Sequence, residues 1–482
     1  MDFAISKIKK NILGGIMNLF RKKSLNQVKE SIQKTGLSKN LRAKDIAALG
    51  IGAVVGVGIF VATGEGAHMA GPAIILSFIF AGIVACLCGL CYCELSTMFP
   101  VAGSTYSYAY IAFGEFTAVI IGWCLTAEYI VAASAVASGW SGTLRGILQS
   151  AGVSLPKAIS TSPWNGGIVD LPAIAIIMLL TALLYTGMKE SSRVNNMIVV
   201  IKISVILLFI FLGVSHIDTS NYHPFIPNGW HGVFTGAGTV FFSFLGFDAI
   251  STSAEEAADP KRDVSRGIIM CLIVVCILYV SVATVLTGIV PYKEIVSDNA
   301  VPEALFRLGI RWGSALVGVG AILGMISTMI AVLYGQVRVF MAMSRDGLLP
   351  KAFCKIHSKH KTPYIATVVA GVIASTIAGF LPLSVIVEFV SIGTLMSFMV
   401  VSAGVIYLRK TMPNFERKFK CPGVPFTPII TIICCIALLV SMRAVTWIGF
   451  IVWLSIGLIV YFIYGRKHSV LQQIEDKKKM TV

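Results

Sequence analysis

A glycine-rich apolar stretch from Gly50 to Phe60 constrains the fold of this chain more than any other segment. It reads Gly-Ile-Gly-Ala-Val-Val-Gly-Val-Gly-Ile-Phe, which is apolar enough for a bilayer, yet four of its first nine residues are glycine. Glycine costs an α-helix about 1 kcal/mol per position relative to alanine, so we expect a helix that breaks near mid-membrane. Lipid cannot satisfy the backbone groups that a break exposes. The broken segment must therefore line a polar cavity enclosed by protein.

Composition places the rest of the chain in the membrane. Of 482 residues, 56% are hydrophobic and only 13% are charged, and many apolar runs approach the roughly 20 residues that span a bilayer. Twelve spans are predicted, at about 44–66, 72–98, 112–140, 171–188, 194–214, 232–254, 267–290, 313–342, 363–381, 384–408, 425–443 and 446–464. The chain is thus predicted to be an all-α, polytopic membrane protein.

The basic residues predict its orientation. An even number of spans puts both termini on one side, where 32 of the 39 Lys and Arg residues then fall, with six on the other side and Lys202 inside a span. The positive-inside rule predicts cytoplasmic termini in a cell membrane, with a basic arm over 1–43 and a tail over 465–482. The net charge of +16 fits contact with anionic lipid, so no nucleic-acid partner is expected.

A second interrupted span makes the first more informative. Gly246 and Asp248 lie within the sixth span, and spans one and six each begin a run of five. Matching interruptions in two halves point to the binding site of an inverted-repeat transporter. We therefore divide the chain into repeats at 44–214 and 232–408, followed by two helices within 425–464. Gly56, Gly246 and Asp248 are predicted to form the breaks or a gate.

Two broken helices favour a zwitterionic ligand. Free N–H groups near Val57 and Gly58 would attract a carboxylate, and free carbonyls in the sixth span would accept from an ammonium group. An α-amino acid carries both groups, and its side chain could be small and neutral or cationic. The predicted substrate-binding residues are Val54, Val57, Gly58, Phe241, Phe242, Phe244 and Leu245. For the glycines alone, close helix contact through the Gly52–Gly56 spacing is an equally good interpretation.

Among the ionisable residues inside predicted spans, where charge is costly and usually functional, three are candidates for the site. Lys202 lies in an apolar helix and could load and release a proton, or it could be a permanently charged residue that joins two helices. Glu128 could carry a proton, pair with a cation or form a structural hydrogen bond. Asp248 could cap the second half of the sixth helix, which we favour, or face the substrate.

Several of these segments together resemble the amino acid–polyamine–organocation superfamily, and most of all the bacterial relatives of the cationic amino acid transporters. The matching segments are GIGAVVGVGIF, FFSFLGFDAIST, EEAADPKRD and YGQVRVFMAMSRDGLLP, together with Lys202. The similarity extends from about residue 40 to about 468. It implies two inverted five-helix repeats, similar to the bacterial leucine transporter, plus two further helices. It also implies secondary transport of amino acids, commonly driven by protons.

The resemblance also implies contacts for the buried lysine. In sodium-independent relatives, a lysine in this helix occupies the place of a sodium ion. Lys202 would then contact carbonyls near Gly52 and Val55 in the first helix and hydroxyls near Ser327 and Thr328 in the eighth. Val57 departs from the Gly-Thr-Gly step of close relatives, so a hydroxyl contact to the substrate would be lost.

The sequence therefore predicts an importer that moves amino acids with protons by alternating access. The alternatives are an amino acid or polyamine exchanger without net proton movement and, less favoured, an amino-acid receptor that does not transport. No nucleotide-binding or hydrolase motif is apparent, so no enzyme is expected. The second span contains four cysteines, Cys86, Cys88, Cys91 and Cys93. They fall on different helix faces and favour no metal site. No cofactor besides the proton is expected, and the sequence leaves protein partners unknown.

Overall fold

The computed structural model describes residues 19, 21–23, 41–101, 103–150, 152–187, 192–252, 257–295, 299–360 and 362–474. Most of the basic arm predicted over 1–43, and the end of the tail predicted over 465–482, lie outside these ranges. So do both glutamates of the EEAADPKRD segment.

Helices account for about four fifths of the described residues, and each of the twelve predicted spans contains one. We number them α1 (Ala43–Val54, Gly58–Ala62 and Thr63–Ala70), α2 (Ile74–Met98), α3 (Glu115–Ser150), α4 (Leu171–Tyr185), α5 (Ser192–Val214), α6 (Gly229–Phe241 and Ala249–Thr252), α7 (Pro260–Ile289), α8 (Arg311–Arg345), α9 (Tyr364–Phe380), α10 (Leu383–Thr411), α11 (Phe426–Val440) and α12 (Ala444–Val460). Two isolated backbone bridges are the only extended pairings within the described ranges.

Length and composition agree with a membrane protein. Among the described residues, seven helical segments are long and apolar enough to cross a bilayer, and α4, α9 and α11 are shorter apolar helices. Each of α1 and α6 is divided by a non-helical step, as the sequence predicts. The all-α, polytopic fold class predicted from the sequence is confirmed.

Equivalent helices of the two predicted repeats make matching contacts. Helices α2 and α7, α3 and α8, and α4 and α9 pack against each other, and each pair unites the same position of the two predicted repeats. Crossed contacts match as well: α1 packs on α7 as α6 packs on α2, and α5 packs on α8 as α10 packs on α3. A twofold relation between α1–α5 and α6–α10 would produce this pattern. The repeat boundaries themselves stay a prediction.

Hydropathy windows miss two helices and underestimate two others. The helix Ser104–Ala112 carries three buried tyrosines and packs against α3 and α10, but its serine and tyrosine content reads as polar. Ala300–Arg307 is a short amphipathic helix against α8. Helices α3 and α8 also run past the predicted span ends at 140 and 342, because charged or polar residues at helix ends lower the windowed hydropathy.

Two buried carboxylates organise the end of the bundle that carries the termini. Glu115 is fully buried and accepts hydrogen bonds from Tyr110 and Tyr461, both at 3.0 Å, and from Ser469. The Arg21 guanidinium lies 3.7 Å away. The first residues of α3, the basic arm and the tail therefore meet at one carboxylate.

Glu94, at the end of α2, is the second of these carboxylates. Its oxygens accept two hydrogen bonds from Arg409, at 2.7 and 3.0 Å, and one from the Cys421 amide at 2.8 Å. Arg417 lies 3.2 Å from the same carboxylate. Glu94 therefore fixes α2 to the end of α10 and to the loop that precedes α11.

Candidate functional site

The break in α1 is stabilised by side chains from three other helices. The first half ends at Val54 and the helix resumes at Gly58. Lys202 of α5 donates to the Gly52 carbonyl at 2.6 Å, and Tyr279 of α7 donates to the Val54 carbonyl at 3.0 Å. The Thr328 hydroxyl of α8 lies 3.2 Å from the Gly52 carbonyl. These donors satisfy the carbonyls that the break removes from helical bonding.

The break in α6 lies opposite. After Phe241 the chain makes a single 3₁₀ turn and then four non-helical residues, which include Gly246 with φ +104°. The Tyr279 hydroxyl is also 2.8 Å from the Ser243 carbonyl, so one side chain joins both breaks. A Cβ at Gly58 would lie 2.6 Å from the Ser243 Cα. Glycine at position 58 is therefore required for the two backbones to approach.

A small cavity lies between the two breaks and the middle of α3 and α8. The space open to the centres of water molecules is about 30 Å³. This space holds roughly two waters. The cavity is lined by Ala53, Val54, Gly56, Val57, Gly58, Glu128, Tyr129, Ala132, Val136, Phe242, Leu245, Gly246, Thr328 and Val332. An amino acid larger than this space requires the helices around it to separate on binding.

Most of the predicted substrate-binding residues border this cavity, but two do not. The Phe241 ring packs against Phe398 of α10, and the Phe244 ring packs between Phe78 and Tyr279. The last residue of the first half of α6 and the 3₁₀ turn that follows it direct these two rings away from the cavity, while Phe242 borders it. Sequence patterns cannot fix which face of a one-turn 3₁₀ segment points inward.

Several residues that line the cavity are not predicted from the sequence. Ala132 and Val136 follow Glu128 at four-residue spacing on α3, and Val332 follows Thr328 at the same spacing on α8. Helical periodicity from Glu128 and Thr328 could have found all three. Tyr279 could have been found as the only tyrosine in an otherwise apolar span.

Lys202 is fully buried at the edge of the site. Its ammonium donates to the Gly52 carbonyl at 2.6 Å and to the Thr328 hydroxyl at 3.0 Å. The Val55 carbonyl lies 3.3 Å from the same Thr328 hydroxyl. The Ser327 hydroxyl has no hydrogen-bond partner among the described residues. Lys202 thus joins α5, α1 and α8 at the point where α1 breaks.

Two carboxyl groups lie on the other side of the cavity. Glu128 is 2% exposed, and its Oε2 has no hydrogen-bond partner among the described residues. Asp248 directly precedes the second half of α6, and its Oδ2 accepts a hydrogen bond from the Tyr129 hydroxyl at 2.8 Å. The two carboxyl groups are close enough to interact electrostatically. The site therefore contains one buried ammonium and two buried carboxyl groups, and within the described ranges no cluster of three potential metal ligands occurs.

Comparison with known proteins identifies the family. Residues 41–464 match the amino acid permease family model. The chain is 44% identical to the branched-chain amino acid permease BcaP of Bacillus subtilis (strain 168), over 95% of this chain and 99% of the relative. It is also 44% identical to the methylthioribose transporter of the same organism, over 95% and 100%, respectively. A vacuolar cationic amino acid transporter 4 of Arabidopsis thaliana is 30% identical over 96% of this chain and 98% of the relative. These matches show that the chain is a membrane transporter, not an enzyme, and that it belongs to the amino acid permease family of the amino acid–polyamine–organocation superfamily.

Proposed function

We propose that this permease imports amino acids with aliphatic side chains together with protons. The observation that carries the proposal is the pair of opposed helix breaks, with Lys202 bound to the Gly52 carbonyl at the first of them. Exposed backbone groups at such breaks can bind a carboxylate and an ammonium group without any charged side chain. Alternating access then follows if the helices around the cavity open to each side in turn.

The cavity walls favour an aliphatic side chain. Ala132, Val136 and Val332 face Phe242 and Leu245 across it, so an apolar substituent would lose water and gain contacts on both sides. Glu128 is the only acidic residue among the lining residues, which gives a cationic side chain a single partner. The name of the Bacillus relative BcaP supports the same class of substrate.

Proton coupling is proposed from the buried charges. Burying an ammonium and two carboxyl groups at one site is costly if all three are ionised. A proton that moves onto Glu128, Asp248 or Lys202 changes the balance of charge at the site. Because Lys202 binds the broken segment of α1, loss of its proton would weaken that bond and ease the movement of α1. The proposed coupling thus links protonation to the opening of the site.

The proposed location is the cell membrane with both termini in the cytoplasm. The support is the excess of Lys and Arg in the loops on the side of the termini. In this orientation the contacts of Glu94 and Glu115 lie on the cytoplasmic side.

Uptake by sodium-free proteoliposomes tests this function. Radiolabelled leucine, alanine, arginine and methylthioribose are supplied separately, with and without an inward proton gradient. We expect leucine to accumulate only with the gradient and a proton ionophore to abolish the accumulation. Uptake that needs internal amino acid and ignores the gradient would establish the exchanger instead. Accumulation of methylthioribose or arginine in preference to leucine would overturn the proposed substrate class.

A further inference from the structure

Three cysteines of α2 each contact a cysteine on a different segment. Cys86 lies beside Cys276 of α7, and Cys88 lies beside Cys435 of α11. The third contact joins Cys91 to Cys421, which lies in the loop between α10 and α11. Buried thiols often act as small apolar groups, and this accounts for the two contacts between membrane helices. The third contact has features that apolar contact alone does not explain.

The position of Cys421 is fixed on both sides of its backbone. Its amide donates to Glu94 at 2.8 Å, and its carbonyl accepts from Arg409 at 2.8 Å. Glu94 lies three residues after Cys91 on α2, so the same carboxylate that fixes the loop holds it over Cys91. Both thiols are at least 98% buried. Charge-assisted hydrogen bonds to its backbone, which are independent of the thiols, thus hold Cys421 beside Cys91.

The surroundings of Cys421 favour its thiolate. The neighbouring Cys91 thiol and the positive charge of Arg409 lower the pKa of Cys421, although burial and the negative charge of Glu94 oppose the shift. The loop residues on either side, Lys420 and Pro422, are exposed. Cys421 is thus a buried residue of a loop whose adjacent positions face the outside. A thiol with a lowered pKa beside a second thiol is the arrangement that favours reversible oxidation.

We propose that Cys91 and Cys421 form a reversible disulfide in the presence of hydrogen peroxide. The Cys421 thiolate attacks peroxide and becomes a sulfenic acid as hydroxide leaves; the hydroxide takes up the proton that the Cys421 thiol released. The Cys91 thiol then attacks the sulfenic sulfur, and water leaves. In total, two thiols and one peroxide give one disulfide and two waters, and a dithiol reductant restores both thiols.

The disulfide would restrict transport. Helix α2 packs on α6 and α7, and α7 packs on α1, so α2 belongs to the set of helices that surrounds the breaks. Glu94 and Arg409 already join α2 to the loop by bonds that can be exchanged for water. A covalent bond at the same place cannot be exchanged. This consequence rests on the proposed transport function, whereas formation of the disulfide does not.

Peptide mapping of the full-length protein in liposomes tests the proposal. Samples are treated with hydrogen peroxide, alkylated, digested and analysed by mass spectrometry before and after dithiothreitol. We expect a peptide pair linked through Cys91 and Cys421 that dithiothreitol removes, while Cys86 and Cys276 stay reduced. Absence of the linked pair at peroxide doses that oxidise methionine in the same protein would overturn the proposal, as would equal linkage of Cys86 and Cys276.

Matched variants test whether the disulfide restricts transport. We expect peroxide to slow uptake in proportion to the linked fraction for the wild type and for Cys276→Ser. Cys91→Ser and Cys421→Ser should keep their uptake rate under peroxide. Equal inhibition of all four proteins would show that the disulfide does not control transport. If none of the proteins transports, the proposed function fails, and the peptide map still decides the disulfide.

Discussion

A single hydroxyl group joins the two broken helices. Tyr279 lies 3.0 Å from the Val54 carbonyl and 2.8 Å from the Ser243 carbonyl, inside a fully buried setting. The single proton of this hydroxyl serves both carbonyls, so its loss leaves at least one of them without this donor, which costs about 1–3 kcal/mol. The spacing of the two breaks therefore depends on a residue of α7 that contributes no side chain to the cavity.

Tyr279→Phe should lower both the thermal stability of the purified protein and the rate of leucine uptake. Tyr222→Phe is the matched control, because Tyr222 donates to the carbonyl of Thr284, which lies five residues beyond Tyr279 on α7 and outside both breaks. We expect the control to transport at the wild-type rate. Wild-type uptake by Tyr279→Phe would show that the bridge has no part in positioning the breaks.

Gly58 is limited by space. A Cβ at this position would lie 2.6 Å from the backbone of Ser243, and backbone cannot move aside as a flexible side chain can. Gly58→Ala should separate the breaks at a cost of about 1–3 kcal/mol and reduce uptake by about tenfold or more. Gly404→Ala is the control, since its Cβ would meet the Leu95 side chain at an ordinary 3.5 Å. Similar uptake by the two variants would disprove the steric argument.

At the scale of the element, the contact of α2 with the loop before α11 depends on one buried carboxylate. Glu94 is fully buried and forms ion pairs with Arg409 and Arg417. Removing one partner of a buried ion pair leaves an uncompensated charge and costs about 3–5 kcal/mol. The exposed pair of Arg307 and Glu303 has no such burial and is worth far less.

Glu94→Gln should therefore lower the melting temperature of the purified protein markedly, and Glu303→Gln should leave it unchanged. Fluorescence-detected thermal unfolding in one detergent compares the two directly. Equal melting temperatures for the wild type and Glu94→Gln would contradict the role of Glu94 as an anchor.

At the scale of the whole molecule, the sequence predicts the helices and both breaks because their signals are local. Apolar length defines a span, and glycine at Gly56, Gly58 and Gly246 interrupts one. The sequence does not predict which rings face the cavity. The Phe244 ring points toward α2 and α7, because the single 3₁₀ turn after the first half of α6 sets its direction. One turn is too short to show a hydrophobic periodicity in the sequence.

Contacts between distant segments are the other part that sequence patterns leave out. Cys421 meets Cys91 across more than 300 residues, and Tyr279 reaches two breaks on two other helices. In both cases, the order of helix contacts decides which residues meet. The partners of Lys202 were expected only from the family resemblance.

Two assays on one variant test the role of Lys202 in proton coupling most directly. Lys202→Met keeps a side chain of similar length but removes the ammonium that donates to the Gly52 carbonyl. In sodium-free proteoliposomes, leucine exchange reports substrate binding and movement, whereas accumulation under an inward proton gradient reports coupling. We expect Lys202→Met to exchange leucine but not to accumulate it. Accumulation by Lys202→Met at the wild-type level would show that proton coupling does not need Lys202.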